Sequence, residues 1–579
     1  MIALSPIFIL SVTIIILLFS IFFLKIETKK CAILTISGLS LALFSAAIIG
    51  YKISINNKNI TDISSDNMQL SFSLTLPTFS NFSKEKILAI ETPPTAPTAS
   101  DNNTTESKIT NDNITLENNS TEHKHVVKAP KHSSRLKLNE DNTDWVSQEI
   151  TTLFTCDGYG LLYSSLILMI SIIVSCLAFR WFKQEQTSQG LFYLILVFMA
   201  LGGVTLMYAS HLMAFFIGVE LLSIPFIGLI GYQYIQTHSL EAAVKYMILS
   251  TIASAFLLMG IAFYYAASGE LTFSGLSYQL STMTSQSPLL LMGVCLMLVG
   301  IGFKLSLVPF QLWLPDVYQG SPTIVALLLS TVGKVAIFCA IARLFLLAPI
   351  VNNETIRIIL VFMAFFSILW GNLFAFIQSS LKRLLAYSSI AHFGYLFIAL
   401  IAVQYQVLAL ETIGVYLIGY TLANITVLGV ISLESHSNEL RDHENEIDLS
   451  GLFWRRPILA SAMGVGLLSL AGMPLTVGFI GRFLLILLGV TAELWWLMAA
   501  VVIGSALGLY FYARLVINLY LRPNCRDDQL VNNPLMNIKW QDFRLSEVLI
   551  AISALLIIIC GVYPKWIFNL VTMAQYLST

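Results

Sequence analysis

Charge is scarce in this sequence. Asp, Glu, Lys and Arg make up only 11% of its 579 residues, and 56% are apolar; a soluble domain carries about 25% charged residues. The composition excludes a soluble fold and points to a polytopic, all-α membrane protein. The net charge of −1 leaves no basic field to draw nucleic acid. The seven cysteines (Cys31, Cys156, Cys176, Cys295, Cys339, Cys525 and Cys560) are scattered, with no CxxC pair. That spacing argues against an iron–sulfur cluster or a zinc site. No GxGxxG opens a βαβ unit and no GxxxxGK[ST] loop occurs, so no nucleotide-binding motif is recognisable. The apolar run at 5–25 is too long for a signal-peptide core, and no A-x-A site follows it; it is expected to be a retained helix.

Long apolar runs fill the rest of the chain. About 20 such residues cross a bilayer core. By that measure fourteen spans are expected, near 5–25, 31–51, 156–179, 190–208, 212–232, 241–267, 288–310, 321–346, 354–377, 384–403, 409–433, 457–491, 493–521 and 545–570. The twelfth is too long for one straight helix and holds Pro474, so it is expected to be broken. Lys and Arg in short loops set orientation. They gather at Lys25/Lys29/Lys30, Arg180/Lys183, Lys382/Arg383, Arg441/Arg455/Arg456 and Arg522/Arg526/Lys539/Arg544. With fourteen spans all of these fall on one side. Loop 268–287, on the other side, has no Lys or Arg, and Arg357 and Lys565 alone lie near that face. The basic side is read as cytoplasmic, with both termini outward.

Residues 52–150 differ. They are rich in Asn, Ser and Thr, without a sustained period, and are expected to form a disordered outward-facing loop. His123, His125 and His132 could hold a metal, but a solvated polar tract is the plainer reading of that composition.

The stretch from Gly300 to Lys334, GIGFKLSLVPFQLWLPDVYQGSPTIVALLLSTVGK, organises the argument. It carries Lys304, Pro309, Asp316 and Lys334 inside apolar sequence. A charge at the centre of a membrane helix costs about 2.5–3.5 kcal/mol on insertion scales. Irregular backbone survives in lipid only where protein buries it or it lines a wet cavity. Glu220 stands alone in span five, Lys245 just inside span six, and Lys304 and Lys334 in spans seven and eight. Static ion pairs would account for one such charge. Four in consecutive spans favour a proton relay, since helices are glued more cheaply by small and neutral polar residues and lysine exchanges protons readily once buried.

The second half reads as a degraded copy of the first. Pro309 follows Lys304, and Pro474 precedes Arg482. Proline-interrupted spans in both halves point to a transport site between inverted repeats. Spans four to eight (190–346) and nine to thirteen (347–522) would be the repeats, five spans each. Around them stand two spans in 1–51, a third in 151–189, and a loop and last span in 523–579. His392 of span ten then takes the place of Glu220; its ordinary pKa of about 6.5 suits a relay.

FFIGVELLSIPFIGLIGY, SLEAAVKYMILS, GIGFKLSLVPFQLWLPDVYQGSP, KRLLAYSSIAHFGYLF and LSLAGMPLTVGFIGRF resemble the antiporter-like subunits of respiratory complex I, NADH:quinone oxidoreductase. The DGYGLLYSSLILM and GLFWRRPILA segments are of the subunit N type. The resemblance implies fourteen helices with two inverted five-helix repeats, each with a broken helix. It implies that Glu220 is the span-five glutamate, Lys245 its neighbour, Lys304 the central lysine and Lys334 the connecting lysine of a relay ending at His392 and Arg482. It places NAD, FMN, iron–sulfur clusters and quinone in partner subunits, with no cofactor in this chain, and makes the other membrane-arm subunits its partners. A cation/proton antiporter subunit without NADH chemistry, or a structural spacer, would share the fold.

Three departures from the family stand out. Gln311 replaces a usual histidine; an amide can hold a water chain but cannot carry a proton. Arg482 replaces a usual lysine, and a guanidinium stays protonated, so it would act as a fixed positive gate. The 52–150 tract replaces a short connection.

Overall fold

The computed structural model describes residues 2–22, 28–64, 148–182, 189–234, 236–276, 288–348, 351, 353–403, 408–435, 449–521 and 545–576. His123, His125, His132 and most of the 52–150 tract lie outside these residues.

Among the described residues, thirteen helical spans are long and apolar enough to cross a membrane. In chain order the helices are α1 (Ser5–Phe22), α2 (Thr28–Ser64), α3 (Gly158–Phe182), α4 (Gln189–Tyr208), α5 (Leu212–Ile230), α6 (Thr237–Ser268), α7 (Pro288–Leu305) and α8 (Trp313–Gly320). Then come α9 (Thr323–Leu328), α10 (Lys334–Leu347), α11 (Glu354–Ile377), α12 (Leu381–Ala402) and α13 (Leu408–Glu434). The last are α14 (Leu452–Arg455), α15 (Pro457–Ala471), α16 (Val477–Thr491), α17 (Trp495–Tyr520), α18 (Leu545–Val562) and α19 (Lys565–Tyr576). One small antiparallel hairpin, Gln148–Thr151 with Phe154–Cys156, precedes α3.

The fold is all-α and polytopic. The expected twelfth span, 457–491, is split into α15 and α16, so thirteen full spans and one broken one make up the fourteen. Helix α2 continues to Ser64, but its apolar span, Lys29–Lys52, agrees with the expected 31–51. One boundary is corrected. The last span stops at Val562 instead of 570, because Pro564 turns the chain before α19 begins. Span eight is interrupted by a π-helical segment, Leu329–Gly333, between α9 and α10.

Two sets of five spans repeat the same packing. Helix α4 lies on α5 as α11 lies on α12, and α6 lies on α7 as α13 lies on α15. An odd number of spans per set reverses the second set relative to the first. The spans Thr323–Leu347 and Leu381–Ala402 are buried along nearly all their length, whereas α1 and α18 show most of their apolar surface to the outside. A helix apolar all round is either a core helix or a lipid-facing one, and this bundle contains both. The two buried spans carry Lys334 and His392.

Candidate functional site

Glu220 lies near the middle of α5. The Lys304 ammonium, near the C-terminus of α7, is 3.7 Å from its carboxylate. That is beyond hydrogen-bond length, so the lysine gives its protons to serines, Ser223 Oγ and Ser250 Oγ, each at 2.8 Å. The Ser254 hydroxyl donates to Glu220. The Lys304 side chain is 2% exposed and that of Glu220 26%, so the cation is the enclosed partner.

The helix break follows at once. Helix α7 ends at Leu305, Ser306 takes a φ of 58°, and helix resumes at Trp313. The freed backbone groups find side chains. The Val308 N–H donates to Ser367 Oγ of α11 at 2.9 Å, and Trp313 Nε1–H donates to the Phe303 carbonyl at 3.1 Å. Irregular backbone at membrane depth requires this kind of satisfaction.

Lys334 comes directly after the π-helical segment, a bulge of the kind that often sits at functional positions. Its ammonium donates to Ser306 Oγ at 2.7 Å, on the break itself, and to Ser389 Oγ of α12 at 2.8 Å. It also lies 5.0 Å from the centre of the Phe393 ring. Among the described residues no carboxylate pairs with it. Ser389 Oγ is in turn 2.7 Å from Tyr420 OH.

His392 is held between two phenols. Its Nδ1 is 2.7 Å from Tyr416 OH and its Nε2 is 3.2 Å from Tyr512 OH, which also bonds Ser388. Arg482, on α16, reaches back across the second break. Its guanidinium donates to the Leu470 carbonyl and, at 2.6 Å, to the Ala471 carbonyl, at the end of α15. Its plane lies 5.5 Å from the Tyr395 ring centre. Those carbonyls have no helical partner because α15 stops there.

Two narrow cavities join the groups. Ser223, Tyr246, Lys304, Trp313 and Lys334 line the first, and His392, Tyr416, Tyr420, Ser469 and Arg482 line the second. Each has room for about one water. The polar line therefore runs from Glu220 to Lys304, through a cavity to Lys334, by Ser389 to Tyr420, and through a cavity to His392 and Arg482. Glu220, His392 and Tyr420 each stand near the middle of their helices, so the line lies at mid-depth in the bundle.

Lys245 is placed elsewhere. Its ammonium is 2.8 Å from Glu241 and 3.2 Å from Asp316, with the side chain 44% exposed. Asp316 also accepts from Arg383 at 2.9 Å. These groups line an open cavity of about 260 Å³, away from the serine-bridged line. Lys245 lies in the third turn of the long helix α6, and on that early turn it meets Asp316 of α8 in place of Glu220. Pro309 and Pro474 lie in the two breaks as expected. The expectation missed the hydroxyls Ser223, Ser250, Ser254, Ser306, Ser389, Tyr416, Tyr420 and Tyr512. One signal was available: Tyr416/Tyr420 and Ser250/Ser254 are i, i+4 pairs on single helices. Gln311, at the position of the usual histidine, is buried, and its Oε1 has no hydrogen-bond partner among the described residues.

A paired-repeat bundle with a broken helix in each half and buried lysines along its middle defines an antiporter-like membrane protein. Residues 209–508 match the family described as NADH:quinone oxidoreductase/Mrp antiporter, transmembrane, and the chain belongs to that family. Among solved structures, it is similar to a chain of respiratory complex I from Thermus thermophilus with bound aureothin. That match has 25% identity and a TM-score of 0.68, covering 97% of this chain and 98% of that one. It is also similar in fold to a chain of the archaeal membrane-bound sulfane sulfur reductase, at 23% identity and TM-score 0.62, covering 72% of this chain and 82% of that one. A chain of the Mrp complex from Dietzia sp. DQ12-45-1b has 18% identity and TM-score 0.61, covering 73% and 84%.

Proposed function

We propose that this chain is a proton-translocating membrane-arm subunit of a bacterial NADH:quinone oxidoreductase, of the subunit N type. The observation that carries the reading is the unbroken polar line from Glu220 to Arg482 through two otherwise apolar half-bundles. Quinone reduction in a partner subunit would alter the Glu220–Lys304 pairing. The lysine would then hold its proton less or more firmly, and a proton would pass by way of Lys334, Ser389 and Tyr420 toward His392. Pairing energies in a low-dielectric site are large enough to drive such a step. Arg482 serves as a fixed positive charge at the far end, because a guanidinium does not give up its proton. A water at Gln311 would extend the line beside the first break. The likeness to the complex I chain over nearly the whole length of both chains supports the oxidoreductase reading. NAD, FMN, iron–sulfur clusters and quinone would belong to partner subunits. The basic loops would face the cytoplasm and both termini the outside.

A second reading, a cation/proton antiporter subunit without NADH chemistry, draws on the family match and the Mrp fold likeness. The company of the chain separates the two. Mild detergent purification should bring flavin- and cluster-bearing subunits with it, and the preparation in vesicles should take up protons on addition of NADH. Purification with other antiporter subunits and no NADH-driven uptake would replace the first reading with the second.

A further inference from the structure

Helices α11 and α17 begin on the same membrane face, since three spans, α12, α13 and the broken α15/α16, lie between them. Between their first turns opens a cavity of about 690 Å³. Its rim is charged: Glu354 and Arg357 from α11 and Glu493 just before α17. Among the described residues none of these three enters an ion pair. Below the rim the lining is aromatic. Phe362 and Phe366 pack with ring centres 4.3 Å apart and planes tilted by 48°, about one and a half and two and a half turns below Arg357. Trp495 and Trp496, at the level of the charges, are 62% and 80% exposed. Tryptophan at the start of a span marks the headgroup level of a bilayer.

The polarity order, charges at the surface and phenylalanines below, is that of an amphiphile standing in a membrane. The charge order is narrower. One guanidinium suits a phosphate. Two carboxylates beside it disfavour a purely anionic headgroup and suit one that also carries an ammonium. We propose that this groove holds one phospholipid of the phosphatidylethanolamine class, its phosphate on Arg357, its ammonium toward Glu354 and Glu493, and an acyl chain along Phe362 and Phe366. The site is separate from the polar line and does not depend on how protons move.

The test uses the full chain in its native membrane complex. A photo-crosslinking benzoylphenylalanine in place of Phe362 is irradiated in membranes and the adduct is identified by mass spectrometry. Phosphatidylethanolamine as the main adduct is expected. A neighbouring polypeptide, phosphatidylglycerol or cardiolipin as the main adduct would overturn the assignment. In the purified complex, Arg357→Glu should lower co-purified phosphatidylethanolamine at this adduct site roughly tenfold, the scale of a lost charge-assisted contact; unchanged retention would overturn it. Should Arg357→Glu fail to assemble, Glu493→Gln is read instead. It should narrow the preference for phosphatidylethanolamine over phosphatidylglycerol, and an unchanged preference would count against the proposal.

Discussion

The two breaks hold their cations in opposite ways. Lys304 stands just before the first break, and its ammonium rests on side chains: two serine hydroxyls and, more distantly, a carboxylate. Arg482 stands after the second break, and its guanidinium rests on main-chain carbonyls of α15. Side-chain partners can turn, protonate and let go. Carbonyls at a helix end cannot. On the proposed function, the first half would exchange a proton, while in the second half Arg482 holds a positive charge in place and caps its own broken helix. The same architecture supports a moving part in one half and a fixed part in the other.

The comparison can be broken most decisively at Lys304. Lys304→Met should reduce proton uptake by roughly tenfold or more, as removal of a proton-transfer group does, measured in vesicles once assembly is verified. Full pumping by that variant would make the buried charges structural. Arg482→Met should instead show its effect in folding. Uncapping two buried carbonyls costs about 1–3 kcal/mol per group left unsatisfied, read as a lower unfolding temperature of the detergent-solubilised chain. Lost pumping at unchanged stability would give Arg482 a part in translocation beyond capping and erase the contrast. Gly472 sharpens the same point. It ends α15 at φ +77°, and a Cβ there would lie 2.6 Å from Arg482 Cδ. Gly472→Ala should cost about 1–2 kcal/mol from the left-handed backbone alone and displace the arginine, in the same thermal assay. Ser389→Ala, which removes the hydroxyl between Lys334 and Tyr420, should slow uptake roughly fivefold, the scale of one hydrogen bond. Lys245→Gln, in the open cluster, should change uptake by less than about twofold, as half-exposed ion pairs contribute little; a larger loss would draw the cluster into the path.

Charges were easy to read from the sequence because each is costly in an apolar span. Glu220, Lys304, Lys334, His392 and Arg482 stand out for that reason, and the structure sets them along one line. Hydroxyls were far less legible, their i, i+4 spacing being the one signal. A serine in a membrane helix can bond its own backbone, as Ser223 does to the Val219 carbonyl at 2.7 Å, so its presence signals little until a second helix arrives. Lys245 was read just inside its span, where it lies; only the resemblance made it the neighbour of Glu220, and its partners are Glu241 and Asp316. The π-helical segment before Lys334 carries no proline and only Gly333 at its end, so nothing local announces it. The two breaks were legible because Pro309 and Pro474 mark them.

The mid-depth course of the polar line has an electrical consequence. The membrane voltage changes along the normal, and a charge carried fully across it exchanges about 2.3 kcal/mol per 100 mV. A charge shifted sideways, from Lys304 past Lys334 to Tyr420, stays at one potential and exchanges almost none. On the proposed function, the line would relay a rearrangement from one half-bundle to the other equally well in an energised or a discharged membrane. The work against the voltage would fall to whatever steps carry protons between this line and either surface.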